Sequence, residues 1–280
     1  MRVGVGSYSY PWAIGIKSYP PPREPLTAFG VLEAANELDV RVVQIADNMP
    51  LDQMPESDLD RLRDRARQLG IELEVGTRGL EPAQLLRYLD IALRLGARLV
   101  RTLIPIPAPA SKPDLRQLEA WIREVLPAFQ ASGVSIAVEN YERHSYVDLL
   151  RLVESVASPS VGVCLDTLNS LGAVETPREV VHALAPYTLN LHVKDFQIRR
   201  VESGLGYLVS GCAAGEGWLD IDWVVSELTA NGRDVNLIVE LWTPFAGSVE
   251  ETIAVEREWA ARSVCFLKKY ERTAPAAAPA

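Results

Sequence analysis

Two spacings of apolar residues alternate along almost the whole chain. Short runs rich in Val, Ile and Leu are "RVGVGSY" (2–8), "RVVQIA" (41–46), "ELEVGT" (72–77) and "RLVRTLI" (98–104). The later ones are "SIAVEN" (135–140), "VGVCLD" (161–166), "LNLHVK" (189–194) and "NLIVEL" (236–241). Near-continuous apolar runs of this length are strands buried on both faces, as parallel strands are. Between them, stretches such as "DLDRLRDRARQLG" and "DLRQLEAWIREVLPAFQASG" place apolar residues three and four apart, the spacing of a helix with one buried face. Gly70, Gly96, Gly133 and Gly232 close four of these, and Pro82 and Pro177 each stand in the first turn of one.

The pattern predicts eight strands and eight helices in strict alternation. Eight βα units in roughly 250 residues are the size of a (β/α)8 TIM barrel. A doubly wound open sheet is the competitor, but such sheets rarely use eight units, and no GxGxxG follows the first strand. No composition shift divides the chain, so residues 1–272 are expected to form one barrel. The Ala/Pro-rich "TAPAAAPA" at 273–280 is expected to be a disordered tail.

Composition narrows the partners. The formal net charge is −9, which argues against a nucleic-acid partner. No run reaches the roughly 20 apolar residues of a membrane span, and the N-terminus lacks the apolar core of a signal peptide. Cys164, Cys212 and Cys265 form no CxxC and suit reduced thiols, so a cytoplasmic location is expected. The expected partner is a small molecule, and a homodimer or homotetramer is compatible with the chain.

Four apolar runs end in a residue able to hold a metal: Glu139, Asp166, His192 and Glu240. A single His or carboxylate at a strand end is usually structural. Four on consecutive strands of one barrel mouth are harder to explain that way, because grouped carboxylates without a cation repel one another and lose hydration. Three carboxylates and one imidazole suit one hard divalent ion, Mn²⁺ first, with Mg²⁺, Co²⁺ and the less favoured Zn²⁺ as alternatives.

The motifs "AVENYE", "GVCLDTLNS", "LHVKD", "GEGWLDID" and "IVELW" together resemble the sugar phosphate isomerase/epimerase family of xylose isomerase-like TIM barrels. The resemblance implies that Glu139, Asp166, His192 and Glu240 bind the ion. It also implies that Glu139 and Glu240 are the catalytic acid/base pair.

Other polar residues at strand ends are candidate substrate contacts: Gln44, Asp47, Arg78, Arg101, Asn140, Glu142, Lys194 and Asp195, with Trp12 as an apolar wall. Arg78, Arg101 and Lys194 suit a carboxylate or phosphate. The glycine-rich "GCAAGEGWLD" reads as a mobile lid or wall. The leading expectation is a metal-dependent isomerase or epimerase acting through an enediolate on a keto-sugar or oxo-sugar acid. On the same scaffold a decarboxylase of a 3-oxo sugar acid such as 3-oxo-isoapionate, or a lyase of a 3-oxo-glycoside, is the alternative. An endonuclease IV-like barrel would need more than three histidines and a basic face. A non-catalytic sugar-binding barrel would not need the full ligand set.

Overall fold

A computed structural model describes residues 1–104 and 114–271. The tail expected at 273–280 lies outside the described residues. Eight parallel strands close into a barrel: β1 (Arg2–Gly6), β2 (Val42–Ile45), β3 (Glu72–Gly76), β4 (Leu99–Leu103), β5 (Ser135–Glu139), β6 (Val161–Asp166), β7 (Thr188–Val193) and β10 (Asn236–Val239). The expected barrel is thus the fold, and the open sheet is excluded by the pairing of β10 with β1.

The chain forms nine α-helices among the described residues. A single turn, α1 (Pro11–Ile14), precedes α2 (Ala28–Glu37), α3 (Glu56–Leu69), α4 (Pro82–Leu95) and α5 (Leu115–Ser132). The rest are α6 (Tyr146–Val156), α7 (Pro177–Leu184), α8 (Ile221–Ala230) and α9 (Val249–Leu267). Leu118, Ile122, Val125 and Phe129 of α5 show why the three-and-four spacing matters, since all four are buried against the barrel. Asp114 caps the start by accepting from Gln117 N at 2.8 Å, and Gly133, at φ 65°, ends it in the left-handed region.

One element was not expected. After β7, the chain forms an antiparallel hairpin of β8 (Asp195–Arg200) and β9 (Tyr207–Cys212). The glycine-rich segment that follows is pinned rather than loose. Asp195 carboxylate oxygens accept from Gly215 N and Gly217 N at 2.9 Å and from Leu219 N at 3.1 Å. A Cβ on Gly217 would lie 2.0 Å from Asp195 Oδ1, so glycine is required for this close approach.

The β1–α2 connection is anchored by a buried acid. Glu256 of α9 accepts from Trp12 N at 2.9 Å and Ala13 N at 3.1 Å. Burial pushes its pKa up to about 8. An acid raised on folding stabilises the fold fully below its ordinary pKa, and that contribution is lost as pH rises through the raised value. Stability should therefore fall between about pH 4.5 and 8, by on the order of 1 kcal/mol per pH unit from this group. Glu256→Gln keeps the neutral form, so its melting curves and those of wild type should lie close together at low pH and separate as wild type falls with rising pH. Parallel curves would exclude the assignment.

Candidate active site

Side chains alternate between the two faces of a strand, so residues two apart share a direction. On β7 this puts Asn190, His192 and then Lys194 toward the barrel axis. The neighbouring strands match them in register: Asp166 stands beside His192, and Cys164 beside Asn190. Glu139 and Glu240, at or just past the ends of β5 and β10, complete the group. All four predicted ligands are at most 2 % exposed.

His192 Nδ1 lies 3.0 Å from Glu240 Oε1, 3.3 Å from Glu139 Oε2 and 3.9 Å from Asp166 Oδ2. The second oxygen of each carboxylate has its own donor. Asn169 Nδ2 donates to Glu139 Oε1 at 2.6 Å, and Leu168 N and Asn169 N donate to Asp166 Oδ1 at 2.8 and 2.7 Å. Lys194 Nζ sits 2.8 Å from Glu240 Oε2 and 2.7 Å from Asp166 Oδ2. Arg101 binds Glu139 through Nε and Asp47 through Nη1, the latter at 2.6 Å. Two buried cations are thus built into the carboxylate group.

Burial raises carboxylate pKa values, but Arg101 and His192 outweigh it at Glu139 and hold it below the usual range. At Glu240 the opposing charges of His192 and Lys194 do the same. Asp166 goes the other way, because burial there outweighs Lys194. Burial opposes the charge of His192, yet Cys164, Glu240 and Glu139 raise its pKa well above the usual range. Burial pushes the Cys164 thiol itself up to about 12, so the two glutamates are the charges that count.

The residues fit a divalent ion. His192 Nδ1 is buried without an aligned hydrogen bond and faces three carboxylates. Ligand atoms of Asp166, His192 and Glu240 lie within 4.8 Å of one another. Glu139, Cys164 and His192 also meet that spacing, and sequence reasoning did not single out Cys164. The Cys164 thiol donates to Asn190 Oδ1 at 3.5 Å, beside which it stands in register, and the carboxylates around His192 form a hard oxygen-rich set.

A cavity of about 150 Å³ opens above this group. Its lining includes Arg78, Arg101, Glu142 and Lys194 from the predicted substrate contacts. Tyr8, Tyr141, Asn169 and Trp242 also line it. Each cation lies over a ring: Arg101 Cζ is 5.9 Å from the Tyr8 centroid, Arg78 Cζ 5.9 Å from Tyr141, and Lys194 Nζ 5.4 Å from Trp242. Asp47 joins Arg78 and Arg101 from the side.

Four predicted contacts lie elsewhere. Asp195 spends its oxygens on the backbone amides described above. Asn140 bridges β5 and β6, donating to Asp166 O at 2.9 Å and accepting from Asp166 N at 2.7 Å. Trp12 donates to Thr243 O at 2.7 Å and packs with Tyr19 and Phe245. Gln44 is buried beneath the carboxylates. Asn169 and Tyr141 went unrecognised, although they follow Asp166 by three residues and Glu139 by two.

Comparison with known proteins fits this geometry. The chain is 37% identical over 267 residues to a 3-oxo-isoapionate decarboxylase of Pectobacterium atrosepticum, covering 95% of each. Its fold is similar to that of a D-psicose 3-epimerase from Clostridium cellulolyticum H10, with TM-score 0.73 and 16% identity over 96% of this chain and 99% of that one. A xylose isomerase-like TIM barrel protein from Mycobacterium smegmatis, solved in complex with magnesium, matches with TM-score 0.67 and 15% identity over 94% and 96% of the two chains. Residues 32–269 match the family model described as xylose isomerase-like TIM barrel, and the chain belongs to that family.

Proposed function

We propose that the chain is a divalent-metal-dependent decarboxylase of a 3-oxo sugar acid. The observation that carries this reading is the pairing of both candidate shuttle residues with permanent cations, Glu139 with Arg101 and Glu240 with Lys194. A general base works best with a pKa near the operating pH, and these two are held low. Loss of CO2 from a 3-oxo acid needs no C–H abstraction. It needs an electron sink at the carbonyl and a cationic place for the acid.

Glu139, Asp166, His192 and Glu240 are the proposed ligands of the ion, Mn²⁺ or another hard divalent cation. When bound, it supplies Lewis acidity toward the 3-oxo group. Lys194 and Arg101 hold the sugar acid, with Arg78 at the rim. The C–C bond to the carboxylate breaks, its electron pair moves toward the carbonyl, and CO2 leaves. The carbon that lost it then takes up one solvent proton. Tyr8, whose pKa burial pushes up to about 12, stays protonated on the cavity wall, where its hydroxyl donates to Asp47 at 3.5 Å.

Arg78, Arg101 and Lys194 line the cavity among its carboxylates, so an acidic substrate meets cationic partners there. The similarity to a 3-oxo-isoapionate decarboxylase supports the same class.

The test is incubation of the Mn²⁺-loaded enzyme in D2O with a 3-oxo sugar acid and, separately, a ketohexose. CO2 release with one deuterium at the carbon that lost it is the expected result. Deuterium exchange or inversion of the ketohexose without CO2 release would favour the epimerase reading. A Glu139→Gln variant sharpens this. At matched metal occupancy CO2 release should stay within about tenfold of wild type, whereas a proton shuttle would lose roughly 10²–10⁴-fold.

A further inference from the structure

The barrel interior below the carboxylates is polar, where barrels of this kind bury branched apolar side chains. Gln44, Glu74 and Asn190 are all buried there. Gln44 Nε2 donates to Glu74 Oε2 at 3.0 Å and to Asn190 Oδ1 at 3.2 Å. Asn190 Nδ2 donates back to Glu74 Oε1 and Oε2 at 3.1 and 2.9 Å, and Asn236 Nδ2 adds a bond to Glu74 Oε1 at 2.7 Å. Both acceptors on the nitrogen side of the Gln44 amide are therefore fixed, and its orientation follows. The amide oxygen, which can only accept, points up at His192 Nε2, 2.8 Å away.

That contact decides which nitrogen keeps its hydrogen when the imidazole is neutral. Nε2 must donate to Gln44 Oε1, so Nδ1 is the nitrogen turned to Glu139, Asp166 and Glu240. We propose that Gln44 is a positioning residue which, held by Glu74 and Asn190, fixes the ring of His192 with Nε2–H downward and Nδ1 toward the carboxylates. Hydrogen bonding of a ligand histidine through its other nitrogen sets both tautomer and ring angle. The consequence for metal affinity rests on the metal reading above, but the position of the hydrogen does not.

Register explains how the residues meet. Gln44 pairs with Glu74 across β2 and β3, while Asn190 pairs with Asn236 across β7 and β10. β2 and β7 are not neighbours in the barrel, so the Gln44–His192 bond spans its interior. The bonds to Glu74 and Asn190 satisfy only the nitrogen of the Gln44 amide, and its buried oxygen has His192 as its partner. The bond to His192 is what links the polar core to the site.

Two measurements test this. The first is protection of the His192 Nε2–H from solvent exchange, read by ¹⁵N NMR, in metal-free protein and with Zn²⁺ as a diamagnetic probe. The chain has three histidines, so the signal is readily assigned. It should be protected in wild type and lost in Gln44→Leu. The second is Mn²⁺ affinity, read from free Mn²⁺ by EPR, which should weaken about 10- to 100-fold in Gln44→Leu. Gln44→Glu keeps an acceptor opposite Nε2–H and should retain the protection that Gln44→Leu loses. Gln44→Leu with unchanged protection and affinity would overturn the proposal. So would a fall in melting temperature alone. If wild type binds no Mn²⁺, the metal reading fails, and the exchange measurement still decides the role of Gln44.

Discussion

Arg101→Met is expected to lose about 3–5 kcal/mol of stability, the usual result of stripping one partner from a buried ion pair. Arg101 is 2 % exposed and binds Glu139 and Asp47 together. Burial opposes its charge, but Glu139, Asp47 and Glu240 keep its pKa well above the ordinary arginine value. Without it, Glu139 loses its hydrogen-bonded cation, and Asp47 keeps only Arg78, at 3.0 Å and partly exposed. At roughly 2–4 °C per kcal/mol for a chain of this size, the melting temperature should fall by about 6–20 °C. Adding Glu139→Gln removes one stranded charge and should recover part of the loss. Arg101→Lys should fall between wild type and Met, because an ammonium lacks the fork that reaches two carboxylates. A loss under about 1 kcal/mol for Arg101→Met would mean that the pair is not closed in solution.

The barrel and its four candidate strand-end ligands were legible because both rest on local pattern. Runs such as "VGVCLD" announce a doubly buried strand, and alternation within "LNLHVK" already separates His192 and Lys194 from their neighbours. The same alternation places Asp195 and Asn140 out of phase with His192 and Glu139, a signal that their choice as candidate contacts did not use. Partners were not legible. Nothing in the string says that Arg101 will meet Asp47, 54 positions earlier, or that Gln44 will reach His192 across the barrel. The hairpin was missed for another reason. "DFQIRR" and "YLVSGC" keep several side chains exposed, with Leu208 at 51 % and Tyr207 at 65 %, so neither reads as a buried strand.

Lys194→Met should move metal affinity and turnover in opposite directions. The ammonium contacts Asp166 Oδ2, Glu240 Oε2 and Asn169 Oδ1, the last at 3.0 Å, and it lines the cavity beside Trp242. Asp166 and Glu240 are also proposed ligands of the ion, so the two cations share the same negative charge. Removing one strengthens the field on the other. Even at an effective dielectric of about 20, unit charges a few ångströms apart interact by several kcal/mol. That exceeds the loss from a less firmly oriented Glu240, so Mn²⁺ should bind roughly 10- to 100-fold more tightly. The stabilisation conferred by Mn²⁺ in a melting experiment should grow accordingly. Turnover of a 3-oxo sugar acid should fall, because a charge-assisted hydrogen bond to the substrate, worth about 1.5–3 kcal/mol, is gone. This corresponds to about 10- to 150-fold in kcat/KM, with a much smaller change for a neutral sugar. Parallel losses for acidic and neutral substrates, together with weaker Mn²⁺ binding, would make Lys194 a structural strut for Glu240 and remove it from substrate recognition.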